Sequence, residues 1–163
     1  MLICFATTVV GCNYYARFPL TMKRENYNGN QLDINGMYLN KHTTGSGSLF
    51  LYRNGVILYG FCLNFDDYDK SQIVDYLQSI KGKENPCNKV AYAWGIYKIE
   101  GSKMIIETWM SGDMFNKYRT MKFYGEVVND STIYLDNLYG KGRYDFQFVA
   151  LPIKPDSTNR FID

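Results

Sequence analysis

His42 is the only histidine in the 163 residues, and it sits beside the Gly/Ser-rich stretch TTGSGS at 43–48. A nucleophile with a histidine base would need a strained turn such as Gly-x-Ser-x-Gly, and none is present. His42 therefore reads as an exposed loop residue. One histidine with Cys62 and Cys87 cannot complete a four-ligand zinc site. Asp66, Asp67 and Asp69 cluster, but without the glycine and terminal glutamate of a calcium loop. Acids at the start of a helix, favoured by its dipole, account for them. Phosphate-loop and dinucleotide motifs are also missing. The chain reads as a binding protein with no cofactor, not as an enzyme.

Residues 1–11 carry no charge and are almost wholly apolar or small, like the apolar core of a secretory signal. No Lys or Arg precedes Arg17, so the basic start of such a signal is expected upstream of Met1. Val9-Val10-Gly11-Cys12 resembles the bacterial lipobox. That resemblance implies cleavage before Cys12 and lipidation of its thiol. Acyl chains contribute about 0.8 kcal/mol per buried CH₂, so two or three would anchor a soluble domain durably. The other reading is a buried first strand with a core cysteine. After cleavage, residues 13–35 read as a polar tether. Cys62 and Cys87 would then sit in a compartment that permits a disulfide, closing a loop around a helix. Two buried free thiols are the alternative.

Trp94 and Trp109 are the only tryptophans. They fall opposite each other if the hairpin at Gly101-Ser102 keeps its register, on the face of Lys98 and Glu107. That face is expected to be wet. An exposed pair would make a platform for sugars or bases; a partly buried cross-strand pair is the alternative.

These residues need a scaffold, and composition says which kind. Aromatics make up 17% of the chain, led by 15 Tyr, which suits half-buried pleated surfaces. A net charge of +2 gives no field that would attract nucleic acid. From Gly36 on, short alternating runs are broken by tight turns. They predict strands at 36–41, 48–53, 56–63, 90–100, 103–111, 118–129, 131–138 and 144–151. Asn54-Gly55 predicts a two-residue turn, which puts Phe50 and Tyr52 on one face with Ile57 and Tyr59. Residues 67–82 carry the only helical pattern, with Ile73, Leu77 and Ile80 on one face. Asp69 and Gln72 have the spacing of a capping box. Tyr97, Ile99, Met104, Ile106, Met121, Phe123 and Val127 are expected to point inward.

The expected fold is all-β: an eight-stranded antiparallel up-and-down barrel with one helix inserted after strand three, since closure removes exposed edges. The divisions are a signal at 1–11, incomplete at its N-terminus, a lipidated cysteine and tether at 12–35, the barrel at 36–152 and a tail at 153–163. Gly36-Met37-Tyr38 opens its strand much as Gly-x-Trp opens a lipocalin. The run from Trp94 to Gly101, followed by Lys103, is similar to a mid-barrel hairpin of lipocalin-like lipoproteins. This resemblance to the lipocalin-like branch of the calycins, over about residues 36–151, implies a small apolar or amphipathic ligand in the barrel. Tyr97, Ile99, Met104, Ile106, Phe123, Phe146 and Phe148 are its candidate lining. The same side chains could instead fill the barrel, leaving the loops to meet an envelope protein as an interaction module or inhibitor. The expected location is the bacterial cell envelope, at the outer membrane or a periplasmic face.

Overall fold

A computed structural model describes residues 19–40, 47–59, 63, 65, 68–110, 119–136 and 142–162. Eight strands form a closed antiparallel barrel in which each pairs with the next: β1 Gly36–Asn40, β2 Ser48–Leu51, β3 Val56–Tyr59, β4 Trp94–Glu100, β5 Lys103–Met110, β6 Arg119–Asn129, β7 Thr132–Asp136 and β8 Arg143–Ala150. β8 closes on β1 from Gly36 opposite Ala150 to Asn40 opposite Phe146. The expected up-and-down barrel is therefore the observed fold.

Between β3 and β4 lies α1, Lys70–Ser79. Its start is set locally. Asp69 accepts the Gln72 N–H at 2.9 Å and Gln72 Oε1 accepts the Asp69 N–H at 2.8 Å, so both halves of the capping box form. Ile73 and Leu77 bury the apolar face. β4 starts later than the alternation predicts, because residues 91–93 form a 3-10 turn. An earlier 3-10 turn, Pro86–Lys89, is started by Asn85 accepting the Cys87 N–H at 3.0 Å.

Two apolar layers result. The inner one lies inside the barrel and includes Tyr38, Leu49, Leu51, Ile57, Ile106 and Phe146. The outer one lies between β1–β5 and a cover made of α1, the 3-10 turns and residues 151–162. Phe50, Leu58, Trp94 and Trp109 belong to it.

The β2–β3 hairpin corrects the expected faces. Leu51 pairs with Ile57 and Phe50 with Leu58, one residue off a two-residue turn. Gly55 donates to the Tyr52 carbonyl at 3.0 Å and has φ +77°, so the loop has three residues, with glycine in the left-handed region. A one-residue slip exchanges the faces. Leu49, Leu51, Ile57 and Tyr59 therefore point in, while Phe50, Tyr52, Val56 and Leu58 face the outer layer. Both faces are apolar and both are covered, so alternation could not choose the register.

The segment read as a tether packs onto the barrel from residue 20. Tyr27, Leu32 and Ile34 are buried in the inner layer. Tyr27 N–H donates to the Arg53 carbonyl and Asp33 N–H to the Asp130 carbonyl, both at 2.8 Å. These contacts lay the segment across the barrel end that holds the β2–β3, β4–β5 and β6–β7 turns. The stretch read as a C-terminal tail is a strap. Tyr52 donates to the Pro155 carbonyl at 3.0 Å, and the Phe161 ring packs tilted against Trp109 with centroids 6.5 Å apart.

Candidate functional site

The seven residues proposed as a lining gather in one place. Tyr97, Met104, Ile106, Phe123 and Phe146 are 2, 1, 0, 3 and 0% exposed, and Ile99 and Phe148 pack against them. Such low exposure leaves no room for water against these side chains. Side chains therefore fill the space around these five. The Tyr97 hydroxyl is spent on the Tyr52 carbonyl at 2.9 Å. Met121, expected inside, is 45% exposed. It lies where β6 pairs with β5 alone, since pairing with β7 begins at Tyr124.

The end covered by the N-terminal segment holds Tyr38 and Lys154, two buried groups with shifted pKa values. The single Tyr38 hydroxyl proton is shared between the Asp33 carbonyl at 2.8 Å and the Asp130 carbonyl at 2.9 Å. Burial pushes its hydroxyl pKa up, and nearby Asp33 adds to this. Lys154, on the strap, donates from Nζ to the carbonyls of Ile34 at 2.7 Å and Leu51 at 2.6 Å. Its ammonium lies 4.3 Å from the centre of the Tyr52 ring. Burial lowers its pKa from 10.5 to about 8, with Asp33 opposing. Lys154 thus joins the strap to β2 and to the N-terminal segment. That is a structural use of a perturbed lysine.

Glu107 is a second correction. It stands on the outer face, as expected, yet is 1% exposed. The N-terminal segment covers it. Its carboxylate accepts the Met22 N–H at 2.6 Å, the Thr21 N–H at 2.8 Å and the Thr21 hydroxyl at 2.8 Å. Burial raises its pKa, but the backbone donors outweigh burial and the net shift is downward. Trp94 and Trp109 do lie across from each other, in line with the Gly95–Thr108 pair. Both are buried, at 0 and 4% exposure, and the Trp94 indole donates to the Cys87 carbonyl at 3.1 Å. They form no exposed platform.

The most exposed aromatic among the described residues is elsewhere, on a wall that the described cover does not reach. Across β5 to β8 the pairing sets two rows on the outer face. One runs Ile105, Tyr124, Asp136, Arg143, and the other Lys103, Glu126, Tyr134, Asp145. Tyr124 is 57% exposed. Arg143 stacks over the Tyr134 ring at 4.1 Å, donates to Glu126 at 2.8 Å and stands 3.9 Å from Asp136. Glu100, Lys103, Tyr124, Glu126, Asp136 and Arg143 help to line a groove of about 570 Å³ along these rows. Sequence reasoning missed it. The alternation placed Lys122 and Glu126 outside, but the bareness of this wall depends on where the cover ends.

Cys87 is buried and disulfide-bonded. Its expected partner Cys62, the lipidation candidate Cys12 and His42 lie outside the described residues. No protein family, curated protein or solved structure matches the chain.

Proposed function

We propose that this chain is an exported, lipid-anchored binding domain of the bacterial cell envelope. It recognises its partner on the outside of a filled barrel and carries out no catalysis. The closed packing around Tyr97, Met104, Ile106, Phe123 and Phe146 carries this reading. A ligand of the kind the lipocalin resemblance implies would have to displace side chains already in close contact, at the cost of strain and lost packing. The N-terminal segment also lies over one barrel end, where Tyr27 packs 5.9 Å from Tyr97. Anchoring rests on Val9-Val10-Gly11-Cys12.

Native mass spectrometry of the protein purified from its own host tests the binding mode. The expected spectrum shows the protein without a bound small apolar molecule. An adduct that survives the native spectrum and is lost on denaturation would overturn the filled-barrel reading and return function to the interior. Membrane fractionation of a cell producing Cys12→Ala tests the anchor. The variant is expected in the soluble fraction, and its retention on membranes refutes lipidation.

A further inference from the structure

We propose that the groove on the bare wall of β5–β8 binds a neutral oligosaccharide, with the Tyr124 ring as its platform. The proposal rests on the surface-recognition reading and names the ligand class for it.

The shape suits a chain-like ligand. The groove is open and runs across strands, and its volume of about 570 Å³ falls in the range of small-molecule sites. Its chemistry narrows the choice. Lys103 and Arg143 stand with Glu126 and Asp136, and Glu100 is paired with Lys98 at 3.0 Å, so the charges along the groove nearly balance. A polyanion would meet carboxylates beside both cations. A fatty chain would cover charged groups without pairing them, which is costly. A sugar hydroxyl both donates and accepts, so neighbouring hydroxyls can bridge a carboxylate and an ammonium with no net charge of their own. The apolar C–H face of a sugar ring can lie flat on an aromatic ring. Tyr124 offers such a face beside the half-buried Ile105, its partner in the β5–β6 register.

The polar groups are also held in place before any ligand arrives. Arg143 is fixed by stacking on Tyr134 and by its bond to Glu126. Lys103 stands directly opposite Glu126 in the pairing. Side chains already ordered lose little entropy on binding. They project from paired strands, which holds their spacing better than a loop would.

Saturation-transfer NMR on the whole protein tests this. The probes are soluble hexasaccharides of β-1,4-glucose, β-1,4-xylose, β-1,4-mannose and α-1,4-glucose. Transfer to the sugar C–H protons of at least one of them is expected. Tyr124→Ala should weaken that binding about tenfold. Arg143→Leu should weaken it as well, while Lys83→Ala, away from the groove, should not change it. Unaltered thermal melting of Tyr124→Ala would confirm that the fold persists. No transfer from any of the four, or transfer that Tyr124→Ala leaves unchanged, overturns the proposal. Such a failure together with an adduct-free native mass leaves surface recognition standing. A failure together with an apolar adduct removes both readings.

Discussion

Lys154 makes stability rise with pH in the mildly alkaline range, because burial dominates its pKa. Its pKa falls from 10.5 in the unfolded chain to about 8 in the fold, chiefly through burial. The folded protein therefore releases this proton more readily than the unfolded one. Between those two values the unfolded chain holds more protons, and stability rises with pH. At neutral pH the charged form costs the fold about 3 kcal/mol relative to a neutral amine, at about 1.4 kcal/mol per pKa unit. Raising the pH from about 7 to about 9 should recover about 1 kcal/mol of it. The window must end there. Tyr38, Tyr52 and Tyr97 have hydroxyl pKa values raised by burial from 10.0, so above that value the unfolded chain ionises first and stability falls. The assay is urea unfolding followed by fluorescence of Trp94 and Trp109 at several pH values across the window. Lys154→Met is the control. It removes the titrating ammonium and should lack the rise. A wild-type midpoint that is flat or falls from pH 7 to 9, or an equal rise in Lys154→Met, would refute the placement of this ammonium.

Other perturbations probe the same architecture. Gly55→Ala would drive a Cβ into the Glu25 carbonyl at a residue with φ +77°, so it should cost at least about 1–2 kcal/mol in chemical unfolding. Little loss would contradict the three-residue turn. Glu107→Gln should cost about 1–3 kcal/mol at neutral pH, because backbone and hydroxyl donors lose a charged acceptor. Since the Glu107 pKa lies below its ordinary value of 4.5, its contribution is present at neutral pH and fades as pH falls below that value. The variant should therefore lose less stability than wild type on acidification, and equal losses would sink the assignment. Breaking the Cys87 disulfide should destabilise by about 2–4 kcal/mol. Peptide mapping without reductant should join Cys87 to Cys62, and any other partner overturns that pairing.

Much of the fold was legible because its causes are local. The two-residue period of GMYLN and WGIYKIE marks strands wherever it occurs. Asp69 and Gln72 form their capping box within four residues. Glu100 and Lys103 flank a turn that keeps its predicted register, so Tyr97, Ile99, Met104 and Ile106 point inward as read. The seven candidate lining residues were found together for the same reason.

What alternation alone left undecided is non-local. With apolar residues on both faces of β2 and β3, the choice between a two- and a three-residue turn fell to packing: Phe50 and Leu58 under the cover, Leu51 and Ile57 in the barrel. Glu107 looked wet because the residues that cover it, Thr21 and Met22, are 86 and 85 positions away. The N-terminal segment looked like a tether because its three buried residues, Tyr27, Leu32 and Ile34, follow no period. The candidate groove was invisible for the converse reason. Its residues alternate like those of any strand, and only the reach of α1 and the C-terminal strap decides which outer wall stays open. Local chemistry determined the strands, the helix start and the inward residues, since each depends on neighbours in sequence. Tertiary structure alone decided which faces are covered, because that depends on segments brought together only when the barrel closes.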